Sequence, residues 1–374
     1  MMQRLSGWSR MPALVVLAAL FSVLDIGTKV LGPRLWRVRG LRARLASLAL
    51  LLCMPIAGGA SAVEGQHAGE FILYETDPGL KEAITVLSGQ NLKAGAVVGR
   101  VTKGIGRVSI PTVVGTGNGT VNTVFAGPEV EVGNYVLTCT SAVTHGGVWS
   151  LTTPSGKALP ALTMTPGAGA STVYTSRHIN FTIVDGSTDF IATDAFTFVV
   201  STTAPTVIGG TGTGTISALS LGPDAKTGNY RVVNIEAITN GGRWQVLGPD
   251  GDSIGEFLMT AGSTSATAFS TRQINFTLTD ATDFILGNYF DVCVFNQLAG
   301  GKCVAWDPTT FDGRHRAVGI LYDNVNATSG DLPGVIVTRQ ARVDKSALQW
   351  AAAISAAEKE SAYLDLALRG VIAR

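Results

Sequence analysis

Charge is scarce in this chain. Only 15% of its 374 residues are Asp, Glu, Lys or Arg, and they balance to a formal net charge of +1, so no global field exists to recruit nucleic acid or an acidic partner. Any partner has to be met through shape and apolar contact. Cysteine is also sparse: Cys53, Cys139, Cys293 and Cys303 are scattered, and none lies in a C-x-x-C pair or beside a histidine at metal-ligand spacing, which argues against a zinc site. Cys293 and Cys303, ten apart, could meet across a turn, but buried free thiols are the commoner state of scattered cysteines. His67, His145, His178 and His315 are isolated from one another and are expected as surface or loop imidazoles. No Ser-His-Asp, Cys-His or paired-carboxylate set is legible, so neither an enzyme nor a cofactor is expected.

Long clean apolar runs are missing too. Residues 11–32 are interrupted by Asp25 and Lys29, which is poor for a membrane-spanning helix of about 20 apolar residues. A better-formed segment follows: Arg34, Arg37, Arg39, Arg42 and Arg44 precede LASLALLLCMPIAGGASA, giving the basic, apolar and small-residue order of a signal peptide that ends at Ala60-Ser61-Ala62. The stretch ahead of that apolar run is long for a leader, and an upstream-extended reading frame produces the same appearance; Met54 is an available internal start. Residues 1–62 are therefore a leader or an N-terminal extension, and no membrane segment is expected in the mature form.

What is plentiful is glycine, with 45 residues, together with Thr and Val, a composition of strands and turns. The middle of the chain repeats itself. GTGNGT at 115–120 recurs as GTGTGT at 210–215, GNY at 133 recurs at 228, and RHINFTI at 177 recurs as RQINFTL at 272. Trp149 recurs as Trp244 and is expected as a core anchor in each copy. Period-two runs such as Tyr135, Leu137, Cys139 and Phe196, Phe198, Val200 mark strands with one buried face. About seven such segments per copy, at sandwich spacing, predict two tandem immunoglobulin-like β-sandwiches, at 105–204 and 205–299. The glycine-rich stretches lack a Gly-Lys-Ser/Thr ending and lead into more strand pattern, so they are strand edges and turns rather than phosphate loops. Asp185, Asp189 and Asp194, echoed by Asp280 and Asp283, do not match a calcium loop and are expected as turn residues.

The pieces left over, 63–104 and 300–374, are expected to form one small α+β domain split by the repeats. Its single helix is predicted from a Ser346 cap to about residue 369, with an apolar stripe through Leu348, Ala352, Ile354, Tyr363 and Leu366 and a stop at Gly370. If residues 104 and 301 meet at a hairpin tip, an insertion there is easily accommodated.

The flanks carry GEFILYE, VLSGQNLKAGAVVGRVT, VAWDPTTFDGRHRAVGILYDNVNAT and LALRGVIAR, in that order. Together they resemble the head decoration proteins of lambda-type tailed phages. The resemblance implies a non-enzymatic virion protein that decorates and stabilises the outer surface of a capsid. It implies homotrimers at three-fold and quasi-three-fold positions that bridge the major capsid protein, assembled in the bacterial cytoplasm without nucleic-acid contact. It also implies that the N-terminal segment, here about His67 to Glu75, docks on the capsid by strand addition, with Phe71, Ile72 and Leu73 as the docking residues. The sandwiches would then project outward as arms, open to host-surface glycans. The competing expectation from the leader is an exported surface or periplasmic adhesin with the sandwiches as binding modules.

Overall fold

A computed structural model describes residues 67–76, 81–260, 262, 266–297, 301–351 and 354–374. The 1–62 segment with Cys53 and Met54, residues 77–79 and Ala352 lie outside the described residues. The protein is mainly β. In chain order the first flank supplies β1 (Ile72–Glu75), β2 (Lys81–Val86), β3 (Gln90–Leu92) and β4 (Val97–Arg100), and β5 (Lys103–Val108) leads out of it. The first repeat supplies β6 (Val113–Val114), β7 (Thr120–Ala126), β8 (Gly133–Val143), β9 (Gly146–Thr152), β10 (Ala158–Met164), β11 (Ser171–Tyr174), β12 (Ile179–Val184) and β13 (Ala195–Ser201). The second supplies β14 (Thr213–Leu221), β15 (Gly228–Ile238), β16 (Gly241–Leu247), β17 (Ser253–Met259), β18 (Ala266–Ser270), β19 (Ile274–Thr282) and β20 (Tyr289–Asn296). The last flank adds β21 (Cys303–Ala305), β22 (Ala317–Leu321), β23 (Val325–Ala327), β24 (Leu332–Val337), β25 (Ala341–Val343), helix α1 (Ala356–Ala367) and β26 (Val371–Ala373).

Each repeat is two layers of sheet around one core. In the first, β10-β9-β8-β13 faces β11-β12-β7; in the second, β17-β16-β15-β20 faces β14-β19-β18. The period-two runs explain the layers: Tyr135, Leu137, Cys139, Ile179, Phe181, Ile183, Phe196, Phe198 and Val200 all point into the first core. Trp149 and Trp244 are fully buried, each meeting a phenylalanine edge-on, Phe190 at 4.8 Å and Phe284 at 4.7 Å between ring centroids. The glycines of the repeated stretch make room for those rings. A Cβ on Gly119 would lie 2.1 Å from Phe190, and one on Gly214 2.2 Å from Phe284. Asp194 closes the same turn: its carboxylate accepts backbone N–H groups from Thr116, Gly117 and Ile191.

The repeats are not separate sheets. Strand β5 lies between β13 and β20 and joins both halves into one ten-stranded sheet. Its Val108 packs on the first core and its Ile105 on the second, so one short strand belongs to both. Phe295 of β20 also enters the first core, sitting where β5 offers only Gly104.

The flanks meet in a closed barrel, β2-β21-β4-β22-β24, built from both sides of the repeats. The chain leaves and returns at neighbouring points: Val101 N–H donates to Lys302 O at 2.9 Å, Gln297 N–H to Thr102 O at 2.9 Å, and Gly104 pairs with Phe295. A three-stranded sheet, β1-β25-β26, and α1 close one side of the barrel.

Three expectations need correction. The helix begins ten residues later than predicted. Asp344 takes Ser346 as a hydrogen-bond donor (Oγ at 2.7 Å) and caps only a 3-10 turn, Lys345–Ala347. The chain then runs extended because Gln349 pairs with the start of β4, its N–H on Gly95 O at 2.9 Å and its O accepting from Val97 N–H at 3.2 Å. That tertiary pairing outweighs the modest helix preference of alanine. The true cap is Ser355, whose side chain and Glu358 form a reciprocal capping box, while Gly370 ends the helix at φ +81°. Second, His178 is not a surface imidazole; it is buried with its Nδ1 3.2 Å from the Tyr135 hydroxyl. Third, the acidic residues are not all turn residues, because Asp280 is buried within β19; Asp185, in the loop after β12, is buried against His145. Cys139, Cys293 and Cys303 are buried and unpaired, and burial pushes the Cys293 thiol well up from its ordinary range. No helix among the described residues is long and apolar enough to cross a membrane.

Candidate docking surface

The segment from His67 to Glu75 is an integral part of the flank domain. Gly69 donates to Tyr322 O at 3.0 Å and Ile72 donates back to Gly69 O at 2.9 Å. Gly69 sits at φ +77°, and a Cβ there would come within 2.9 Å of the Tyr322 ring, so glycine is required for this approach. Strand β1 then runs antiparallel to β25, with Ile72 opposite Val343, Tyr74 opposite Arg342 and Glu75 opposite Ala341. Two residues on β1 cover one step on β25 between the first two pairs, so Leu73 is the extra residue of a β-bulge.

The bulge decides which side chains face out. Strict alternation would put Phe71 and Leu73 on one face, and both were expected to dock. Instead Phe71 is fully buried among Val97, Trp306, Ile320, Val343, Leu366 and Val371, and Ile72 is partly buried. Leu73 and Tyr74 are both exposed, at 59% and 57%. Tyr74 had not been singled out from the sequence; nothing in ILYE announces a bulge. Beyond Tyr74 the same exposed row continues through Arg342 to Ile372, which are paired across the parallel β25–β26 ladder. The Arg342 guanidinium lies 5.9 Å from the Tyr74 ring centroid, within range of a cation–π contact.

Strand β1 is also an edge. Among the described residues, the order β1-β25-β26 pairs only one side of it, which leaves a row of backbone donors and acceptors available to another strand. On α1, Ala362 and Leu366 face the core, whereas Leu364 and Leu368 are exposed. Large apolar side chains thus emerge from β1, β26 and α1 of the flank domain. No chemistry is set up around them: Glu75 is paired with Lys81 at 3.0 Å, and Asp344 is held below the usual carboxylate range by the Ser346 hydroxyl and backbone N–H.

No curated protein and no solved structure matches the chain. The sequence profile described as Bacteriophage lambda head decoration protein D matches residues 61–371, spanning both flanks and the repeats between them. That family is structural rather than enzymatic, and its place is the phage head. With most of its length matched, the chain belongs to the bacteriophage lambda head decoration protein D family.

Proposed function

We propose that this protein decorates the outer surface of a tailed-phage capsid, attaching to the major capsid protein through β1 and the exposed row beside it. The observation that carries the reading is the bulged edge strand, which presents Leu73 and Tyr74 together next to an unpaired strand edge. An added capsid strand would draw affinity from the β1 backbone, with Leu73 and Tyr74 setting register. Phe71 serves this surface from beneath by anchoring the strand in the core.

In the same proposal the protein acts as a homotrimer, with Leu364 and Leu368 on the outer face of α1 supplying self-contact. The repeats are outward arms of immunoglobulin-like architecture, supported by the layer order β11-β12-β7 against β10-β9-β8-β13. They enter and leave through one pair of neighbouring strands, β5 and β20, so they project as one fused body able to meet a host surface. Amide hydrogen exchange of the full chain, free and bound to undecorated expanded heads, tests the attachment. Protection of residues 72–75 on binding is expected; protection confined to the repeats would refute it.

A further inference from the structure

The two repeats differ at the β8–β9 turn of the first and its counterpart in the second. In the first, the β8–β9 turn brings His145 against two carboxylates from beyond β12: Nδ1 lies 2.8 Å from Asp185 Oδ2 and 3.2 Å from Asp189 Oδ1. One ligand atom from each of the three residues fits within 4.8 Å of the others. The Asp185 side chain is fully buried, yet its Oδ1 has no hydrogen-bond partner. In the second repeat the equivalent residues are Asn240, Asp280 and Asp283. Asp280 is again buried, and neither of its carboxylate oxygens has a partner. In the first repeat the orphaned Asp185 oxygen lies in a cluster with a ring nitrogen and a second carboxylate, which points to an occupant that is not a protein atom; the second repeat has Asn240 in place of the imidazole and lacks that donor set.

We infer that His145, Asp185 and Asp189 form a binding site for a divalent cation of the zinc class. One imidazole nitrogen and two carboxylates are a donor set suited to a borderline cation, and three protein ligands leave a fourth position for water. Ligand atoms around tetrahedral zinc stand about 3.3 Å apart for bonds of about 2.0 Å, so the 2.8 Å between His145 Nδ1 and Asp185 Oδ2 needs to open by only a few tenths of an ångström, while the three residues, already within 4.8 Å of one another, draw together around the ion. Asp189 Oδ1 already accepts the His145 backbone N–H at 3.0 Å, which leaves Oδ2 for the cation. On binding, Nδ1 donates its lone pair to the metal and the neutral ring carries its N–H on Nε2. The cation then ties the β8–β9 turn to the segment after β12 and stiffens the end of the repeat.

The second repeat supplies the control. His145 and Asn240 share a left-handed backbone, φ +58° and +54°, so His145→Asn installs the residue that the same turn already accepts. Zinc titration of the metal-stripped full chain against a chromogenic chelator, with a thermal melt at each step, is expected to show a single zinc ion held per chain and a melting temperature that rises with zinc. His145→Asn should lower the metal-free melting temperature, because the Asp185 carboxylate loses its imidazole contact, and should lose that ion and the rise with zinc. Asp189→Asn, which keeps the backbone acceptor, should weaken binding by roughly 100-fold if His145→Asn proves unfolded. The proposal is overturned by an absence of zinc uptake, by equal uptake in the variants, or by stabilisation with calcium and not zinc.

Discussion

Leu73 and Phe71 sit two positions apart and behave oppositely, and the difference is measurable. Phe71→Ala empties a site at the centre of the flank core and should cost about 3–5 kcal/mol in chemical denaturation. Leu73→Asp, on the outer surface, should leave the same denaturation curve unchanged. From sequence alone the two were equivalent, because alternation places them on one face; the bulge that separates them depends on how β25 pairs, which no local pattern records. Asp194 gives a prediction in pH. Burial alone would raise its carboxyl, but the backbone N–H groups of Ile191, Thr116 and Gly117 outweigh that and hold it below the ordinary range. Its contribution is therefore present above the ordinary aspartate pKa of about 4 and is lost as pH falls through the lower folded value. Asn288 fills the equivalent place in the second repeat and accepts from Ile285 N–H at 2.9 Å. Asp194→Asn should accordingly fold at neutral pH and flatten the loss of stability in acid. Asp280 runs the other way: burial, then the charge of Asp283, push its carboxyl up. Without added metal, Asp280→Asn should stabilise the protein at pH 7, and the gain should shrink as acid protonates the parent residue.

At the scale of elements, strands were more legible than the helix. Repeats with clear period-two runs fall where the pattern puts them because each strand buries one whole face, and burial enforces register. The alanine-rich tail carried no such constraint. Its first part was claimed by β4 and the 3-10 turn, and only the Ser355–Glu358 box, a true N-terminal signature, marks where α1 begins. Ser355→Ala removes that box and should lower stability by about 1 kcal/mol. β5 was also hidden: nothing in Lys103–Val108 marks a strand shared by both repeats, yet its glycines are what let Phe295 and the Ser201–Thr202 backbone approach. His145 was missed as a partner of Asp185 because 40 residues separate them in sequence and only the β8–β9 turn brings them together.

For the whole molecule, the flanks form a barrel whose strands come from both ends of the chain, while the repeats hang from one paired connection. Replacing residues 103–296 by a short turn joins Thr102 to Gln297, already hydrogen-bonded neighbours, and should leave the barrel folded. In the proposed function, attachment to the head belongs to the flank domain and its β1 surface, not to the repeats. It is tested most directly by titrating undecorated expanded heads with three proteins and counting bound copies after sedimentation: the full chain, the repeat-excised chain, and the full chain carrying Leu73→Asp with Tyr74→Asp. Equal saturation by the first two is expected, with a loss of about 100-fold or more in affinity for the third, the loss of two large buried apolar contacts. Binding by the double variant at parental affinity, or loss of binding on removal of the repeats, would contradict it.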